Sequence, residues 1–206
     1  MLPASAALER LIEGNGRFAA DAPSRATLAD SARRSALAAG QAPFATILGC
    51  SDSRVPVELV FDQGLGDLFV IRVAGNIIAP SLIGSVEFAA EAFGTRLVVV
   101  LGHQRCGAVT ATLEALQRPP AAQSPNLGSI VDRISPAVAP LLASDLSHDH
   151  AALLAAAVRA NIRASVEQLR QGSPLIQQLI TGAGLRVMGA EYSLETGLVT
   201  FLEDPA

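Results

Sequence analysis

Two short apolar runs constrain this chain more than anything else in it. Thr46-Ile-Leu-Gly-Cys50 and Leu97-Val-Val-Val-Leu101 are largely β-branched and lack the polar alternation of a half-solvated strand. They read as strands of a parallel sheet covered on both faces. Their C-terminal ends should then lie side by side at one sheet edge, where ligands collect in open α/β sheets. Each run leads directly into reactive side chains: Cys50-Ser-Asp-Ser-Arg54 after the first, His103-Gln-Arg-Cys106 after the second. Both cysteines of the chain and one of its three histidines are thereby brought to a single edge.

Cys50, His103 and Cys106 make a set of two thiolates and one imidazole, a soft combination that favours zinc. Three protein ligands leave the fourth position for water, the arrangement of a catalytic site. Side chains alternate along an extended segment, so Cys50, Asp52 and Arg54 are expected on one side, with Ser51 and Ser53 on the other. A metal ligand, a carboxylate and a guanidinium then share a pocket. From Cys106 the pattern is helical to about Leu116, and the exposed N–H groups of a helix N-terminus lower a thiol's pKa.

Cys50-Ser-Asp-Ser-Arg-Val-Pro56 together with Gly102-His-Gln-Arg-Cys-Gly-Ala108 resembles the signature of the β-class carbonic anhydrases. The segments 62–76, 84–88 and 189–192 are similar to that family in order and spacing, so the resemblance runs from about residue 10 to the C-terminus. It implies reversible hydration of carbon dioxide to bicarbonate and a proton by a zinc-bound hydroxide. Asp52 would accept the hydrogen of that hydroxide, and Arg54 would grip the carboxylate and keep it off the metal. With that pair broken, Asp52 could swing in as a fourth metal ligand, as in the closed state of some members. The closed form goes with a tryptophan shortly before the first cysteine; this chain has no tryptophan, and Ile47 stands in that neighbourhood. An open site is therefore expected. The resemblance also assigns Gln41, Phe69, Ala74, Phe88 and Gly107 to the substrate pocket, and implies a homodimer or tetramer. Two alternatives use the same residues: hydrolysis of carbonyl sulfide or carbon disulfide, and a zinc-binding or redox-sensing module in which Cys50 and Cys106 form a disulfide.

Composition excludes other chemistry. All fifteen basic residues are arginine, which removes Schiff-base catalysis and the lysine-dependent phosphate loop. A formal charge of −4 and a pI of about 5.3 supply no basic footprint for nucleic acid or an anionic membrane. The apolar runs fall far short of the ~20 residues needed to span a bilayer. The N-terminal segment lacks the charged region and continuous apolar core of a secretory signal, so a cytoplasmic location is expected. A length of 206 residues fits one domain, 1–206.

Periodicity gives the remaining elements. An amphipathic helix over 5–19 has few local partners and is expected to pack on another subunit, and a second helix is expected over 28–39. A short helix at 57–61, a strand at 68–73, a turn at 74–76 and a crossover helix at 82–93 follow. Gly64 and Gly66 begin like a dinucleotide fingerprint, but a strand follows where a helix is needed, so nucleotide binding is rejected. Beyond the breaker-rich loop 117–125, helices are expected at 126–143, 149–171 and 174–181, then strands at 185–192 and 197–203. His148 and His150 read as hydrophilic caps of the 149–171 helix, and Arg72 and Arg105 as surface or interface residues. The expected fold is α/β: a mostly parallel sheet of order 2-1-3-4, with the last strand at the edge, flanked by helices.

Overall fold

A computed structural model describes residues 2–24, 30–118 and 124–202. In chain order its elements are α1 (Ala4–Ala19), α2 (Ser31–Leu37), β1 (Ala45–Gly49), α3 (Val57–Val60), β2 (Leu68–Arg72), α4 (Pro80–Ala92), β3 (Leu97–His103), α5 (Gly107–Gln117), α6 (Pro125–Val138), α7 (His150–Gln171), α8 (Pro174–Gly182), β4 (Arg186–Tyr192) and β5 (Val199–Phe201). The sheet order is β2-β1-β3-β4-β5, parallel throughout except for the antiparallel β4–β5 pair. The expected architecture and strand order are those of the structure.

Every residue of β1 and β3 is buried, because helices cover both sheet faces. Leu48, Val98, Val100 and Val187 point into a core shared with α4 to α8. Ala45, Ile47, Val99, Leu101 and Ala190 point into a second core closed by α1 and α3. The period-2 alternation of strands is thus present as two faces of different helical partners rather than as apolar against polar.

Several expectations are corrected. Helix α1, expected to have few partners in its own chain, has its inner face packed there: Ala7 and Leu11 are wholly buried, and a Cβ on Gly14 would lie 1.9 Å from the Phe61 carbonyl oxygen. Ile12, on the other side, stays 49% exposed. Helix α2 starts at Ser31, with the Asp30 carboxylate accepting from the Arg33 N–H; its expected first residues, 28 and 29, lie outside the described residues. The expected 126–143 helix ends at Val138 and continues as a 3-10 turn, Ala139–Ala143, since Pro140 lacks the N–H that would continue the ladder. The cap of α7 is Asp149, which accepts from the N–H groups of Ala151 and Ala152, and not the flanking His148 or His150. Most of the 117–125 loop and residue 203 lie outside the described residues. Among the described residues no helix is long and apolar enough to cross a membrane.

Candidate metal centre

Strands β1 and β3 are hydrogen-bonded neighbours, with Gly49 beside Leu101, so the residues that follow them emerge at one edge. Cys50 is the first residue past β1, and His103 is the last residue of β3, which runs two residues beyond the apolar run that ends at Leu101. Between His103 and Cys106 the chain reverses through Arg105, whose φ of 54° is left-handed, and Cys106 becomes the N-cap residue of α5. Cys50, His103 and Cys106 are all buried, and one ligand atom from each lies within 4.8 Å of the others. Neither cysteine is in a disulfide.

The imidazole is set for ligation. Its Nδ1 lies 2.9 Å from the Gln104 carbonyl oxygen, which fixes the tautomer with Nδ1 protonated and leaves the Nε2 lone pair free. Nε2 is fully buried and has no hydrogen-bond partner among the described residues. A buried ring nitrogen left so is costly unless something fills its place. A metal ion between two sulfurs and this nitrogen does that, and the donor set fits one.

The two sulfurs are joined by a hydrogen bond that shifts them in opposite directions. The Cys106 thiol donates to Cys50 and pulls its pKa down to about 4 against the opposing effect of burial; the Gly75 N–H, 3.4 Å from Cys50 Sγ, acts in the same downward direction. The same bond, with burial, pushes Cys106 up. The helix N-terminus does lower Cys106, through the Val109 and Ala108 N–H groups, but it is outweighed.

Asp52 and Arg54 are joined, though not by strand alternation. Residues 53 and 54 form a turn in which the Arg54 N–H donates to Asp52 Oδ1 at 3.0 Å, Nε to the same oxygen at 2.9 Å and a terminal nitrogen to Oδ2 at 2.8 Å. This bidentate grip holds the Asp52 carboxyl well below the usual carboxylate range. Asp52 Oδ2 lies 3.8 Å from His103 Nε2, so the carboxylate faces the ligand cluster while remaining bound to arginine. Arg72 is more than a surface residue: its guanidinium donates to the Cys50 carbonyl at 3.0 Å and to the Asp52 carbonyl at 2.7 Å, bracing the loop that carries both. Arg105 pairs with Glu195, two exposed side chains, as a surface residue does.

The pocket residues divide. Ala74 and Gly107 lie at this edge, beside Gly75 and Cys106. Phe69 pairs in register with Thr46, four residues before Cys50, so it sits about 13 Å away along the strands. Phe88 projects from α4, 55% exposed, with its ring 6.1 Å from that of Phe69, and Gln41 is exposed beyond the opposite end of β1. Within one chain these three do not reach the cysteines.

A covered parallel sheet with a Cys-His-Cys cluster at its C-terminal edge, beside an arginine-bound aspartate, defines a class, and sequence comparison agrees. The pattern of the carbonic anhydrase family matches residues 45–199, and the chain belongs to that family, in its β class. It is 38% identical to carbonic anhydrase 2 of Mycobacterium tuberculosis over 192 residues, which is 93% of this chain and 89% of that protein. Among solved structures it is similar to a tetrameric β-carbonic anhydrase of Sordaria macrospora, with a TM-score of 0.73, 26% identity, and 82% of this chain and 85% of the other covered. The Coccomyxa β-carbonic anhydrase in complex with acetazolamide follows, with a TM-score of 0.69, 27% identity, and 97% and 87% covered.

Proposed function

We propose that this chain hydrates carbon dioxide reversibly to bicarbonate and a proton, with zinc held by Cys50, His103 and Cys106. The observation that carries the reading is the buried, unpartnered His103 Nε2 among two cysteine sulfurs, all within 4.8 Å. Two thiolates with one imidazole suit zinc, and as a bound Lewis acid zinc brings the ionisation of water to a pKa of about 7 in favourable sites.

The chain's own groups do the rest. Cys50, His103 and Cys106 would hold the ion, and because cysteine ligates as thiolate its binding would release protons. Asp52 Oδ2 accepts the hydrogen of the attacking oxygen and aims its lone pair at the carbon of CO2. Arg54 keeps that carboxylate ionised and oriented, and would hold it off a bound metal so that the fourth position stays open to water at neutral pH. Arg72 fixes the backbone on which both Cys50 and Asp52 depend. Ala74 and Gly107 line the approach with little bulk. Gln41, Phe69 and Phe88 can complete a pocket only at the site of a second copy, which accords with a homodimer or larger assembly.

Stopped-flow CO2 hydration, with and without a zinc chelator, tests the reading on wild type and Asp52→Ala. Wild type should lose its activity to the chelator and recover it with zinc. Asp52→Ala should keep its zinc and lose most of its rate. A wild type that binds zinc but does not hydrate CO2 would overturn the proposal.

A further inference from the structure

Helix α7 supplies no ligand, yet it holds the backbone around two of them. Asn161 and Ser165 lie one turn apart on the same face of α7, 2% and 3% exposed. Asn161 Nδ2 donates to the Gly75 carbonyl at 2.8 Å, and Ser165 Oγ donates to the next carbonyl, Asn76, at 3.0 Å. The turn they grip is left-handed at both residues, Gly75 with a φ of 71° and Asn76 with a φ of 44°, and the second is uncommon for a residue with a side chain. That conformation aims the Gly75 N–H at Cys50 Sγ, 3.4 Å away. On the same helix Ile162 fills the space a Cβ on Gly102 would need, at 2.5 Å, so α7 also rests on β3 one residue before His103.

We propose that Asn161, assisted by Ser165, is a positioning residue for the metal centre, acting through the 74–76 turn on the Cys50 sulfur. The proposal rests on the reading that Cys50, His103 and Cys106 hold zinc. Two thiolates donate more charge to a metal than two imidazoles. An N–H directed at one sulfur draws part of that charge back and stabilises the thiolate as a ligand. Without the clamp, Asn76, the one left-handed residue of the turn whose side chain disfavours that backbone, relaxes toward negative φ and lets the Gly75 N–H rotate away from sulfur. Groups that orient ligands from one shell out typically change metal affinity by about 10- to 100-fold when removed.

The test uses the full chain loaded with zinc and, separately, with cobalt(II) as a spectroscopic probe. Asn161→Ala and Ser165→Ala are compared with wild type and with Leu169→Ala, a buried core truncation on the same helix. Zinc affinity is read by competition with a chromogenic chelator, the thiolate-to-cobalt charge-transfer band by absorbance, and metal-free stability by thermal unfolding. Asn161→Ala should bind zinc at least about tenfold more weakly and move the band to longer wavelength, because a sulfur without its N–H gives up charge more easily. Ser165→Ala should move both in the same direction by less, and Leu169→Ala should lose stability with neither metal readout changed. If Asn161→Ala does not yield folded protein, Asn161→Asp, which keeps the shape but not the donor, is judged by the same two readouts. Wild-type affinity and band position in the Asn161 variant would overturn the proposal, whatever its stability. Failure of the underlying reading is distinct: wild type would then take up no zinc, or Cys50→Ser would take up as much as wild type.

Discussion

Asp52 is the residue on which activity and pH dependence meet. Removing a positioned proton acceptor costs about 100-fold or more in rate, so Asp52→Ala should lower kcat/KM by at least that factor at unchanged zinc content, read by stopped flow and metal analysis. Arg54→Ala should act through the same carboxylate: freed from its bidentate partner, Asp52 moves onto the metal, and a crystal structure of the variant at neutral pH should show that bond. The Arg54 hydrogen bonds depress the folded-state pKa of Asp52. The stability it contributes is therefore present above the unfolded carboxylate value of about 3.9 and is lost only as pH falls through the lower folded value. Carboxyl NMR titration should find Asp52 still ionised at pH 4, where the unpaired carboxylates are titrating. In the metal-free protein, thiolate absorbance should show the two thiols titrating in separate steps, the first below and the second above the ordinary cysteine range, because each shifts the other in the opposite direction. The ligands and Asp52 were legible because each follows directly on a strand and local order alone brings them to one edge. Their supports were not. Asp52 meets Arg54 through a turn that strand alternation does not describe, and Arg72 reaches back twenty-two residues to the Cys50 carbonyl.

At the scale of elements, the close approaches make the sharpest forecasts. Gly75→Ala forces a side chain into left-handed backbone and places its Cβ 2.8 Å from Ile134 Cδ1 and 3.0 Å from the Ala108 Cβ. Strain and overpacking together should cost about 2–4 kcal/mol, measured by chemical denaturation of the metal-free protein. Strands and helices were legible from their periodicity, since short β-branched runs covered on both faces have few other solutions. Element ends were less so: Pro140 divides one expected helix, and Asp149 takes the cap given to its histidine neighbours. The grip of α7 on the 74–76 turn spans 86 and 89 residues, a separation no local pattern encodes.

For the whole molecule, ligation and assembly are the quantities to measure. Dialysis against a chelator should remove about one zinc per chain. With free zinc at 1,000 times its Kd, the loaded protein should exceed the metal-free form by about 4 kcal/mol, seen as a raised unfolding temperature. Light scattering should report a dimer or larger species, and Phe88→Glu, which places a charge among the rings of Phe69 and Phe93, should shift it toward monomer. The sheet order was legible because connection handedness and length leave few topologies. The packing of α1 on its own sheet was not, because it depends on Gly14 meeting the Phe61 carbonyl, a fit of shapes rather than of hydropathy.

The grip of α7 also bears on how the chain is made. All three donor residues have been synthesised once residue 106 is added, but Asn161 and Ser165 emerge more than fifty residues later, and β4, which flanks β3, later again. A ribosome-bound chain thus carries every donor atom while the helix that steadies them is still unwritten, and any ion captured at that stage sits in a site that the last third of translation has yet to tighten.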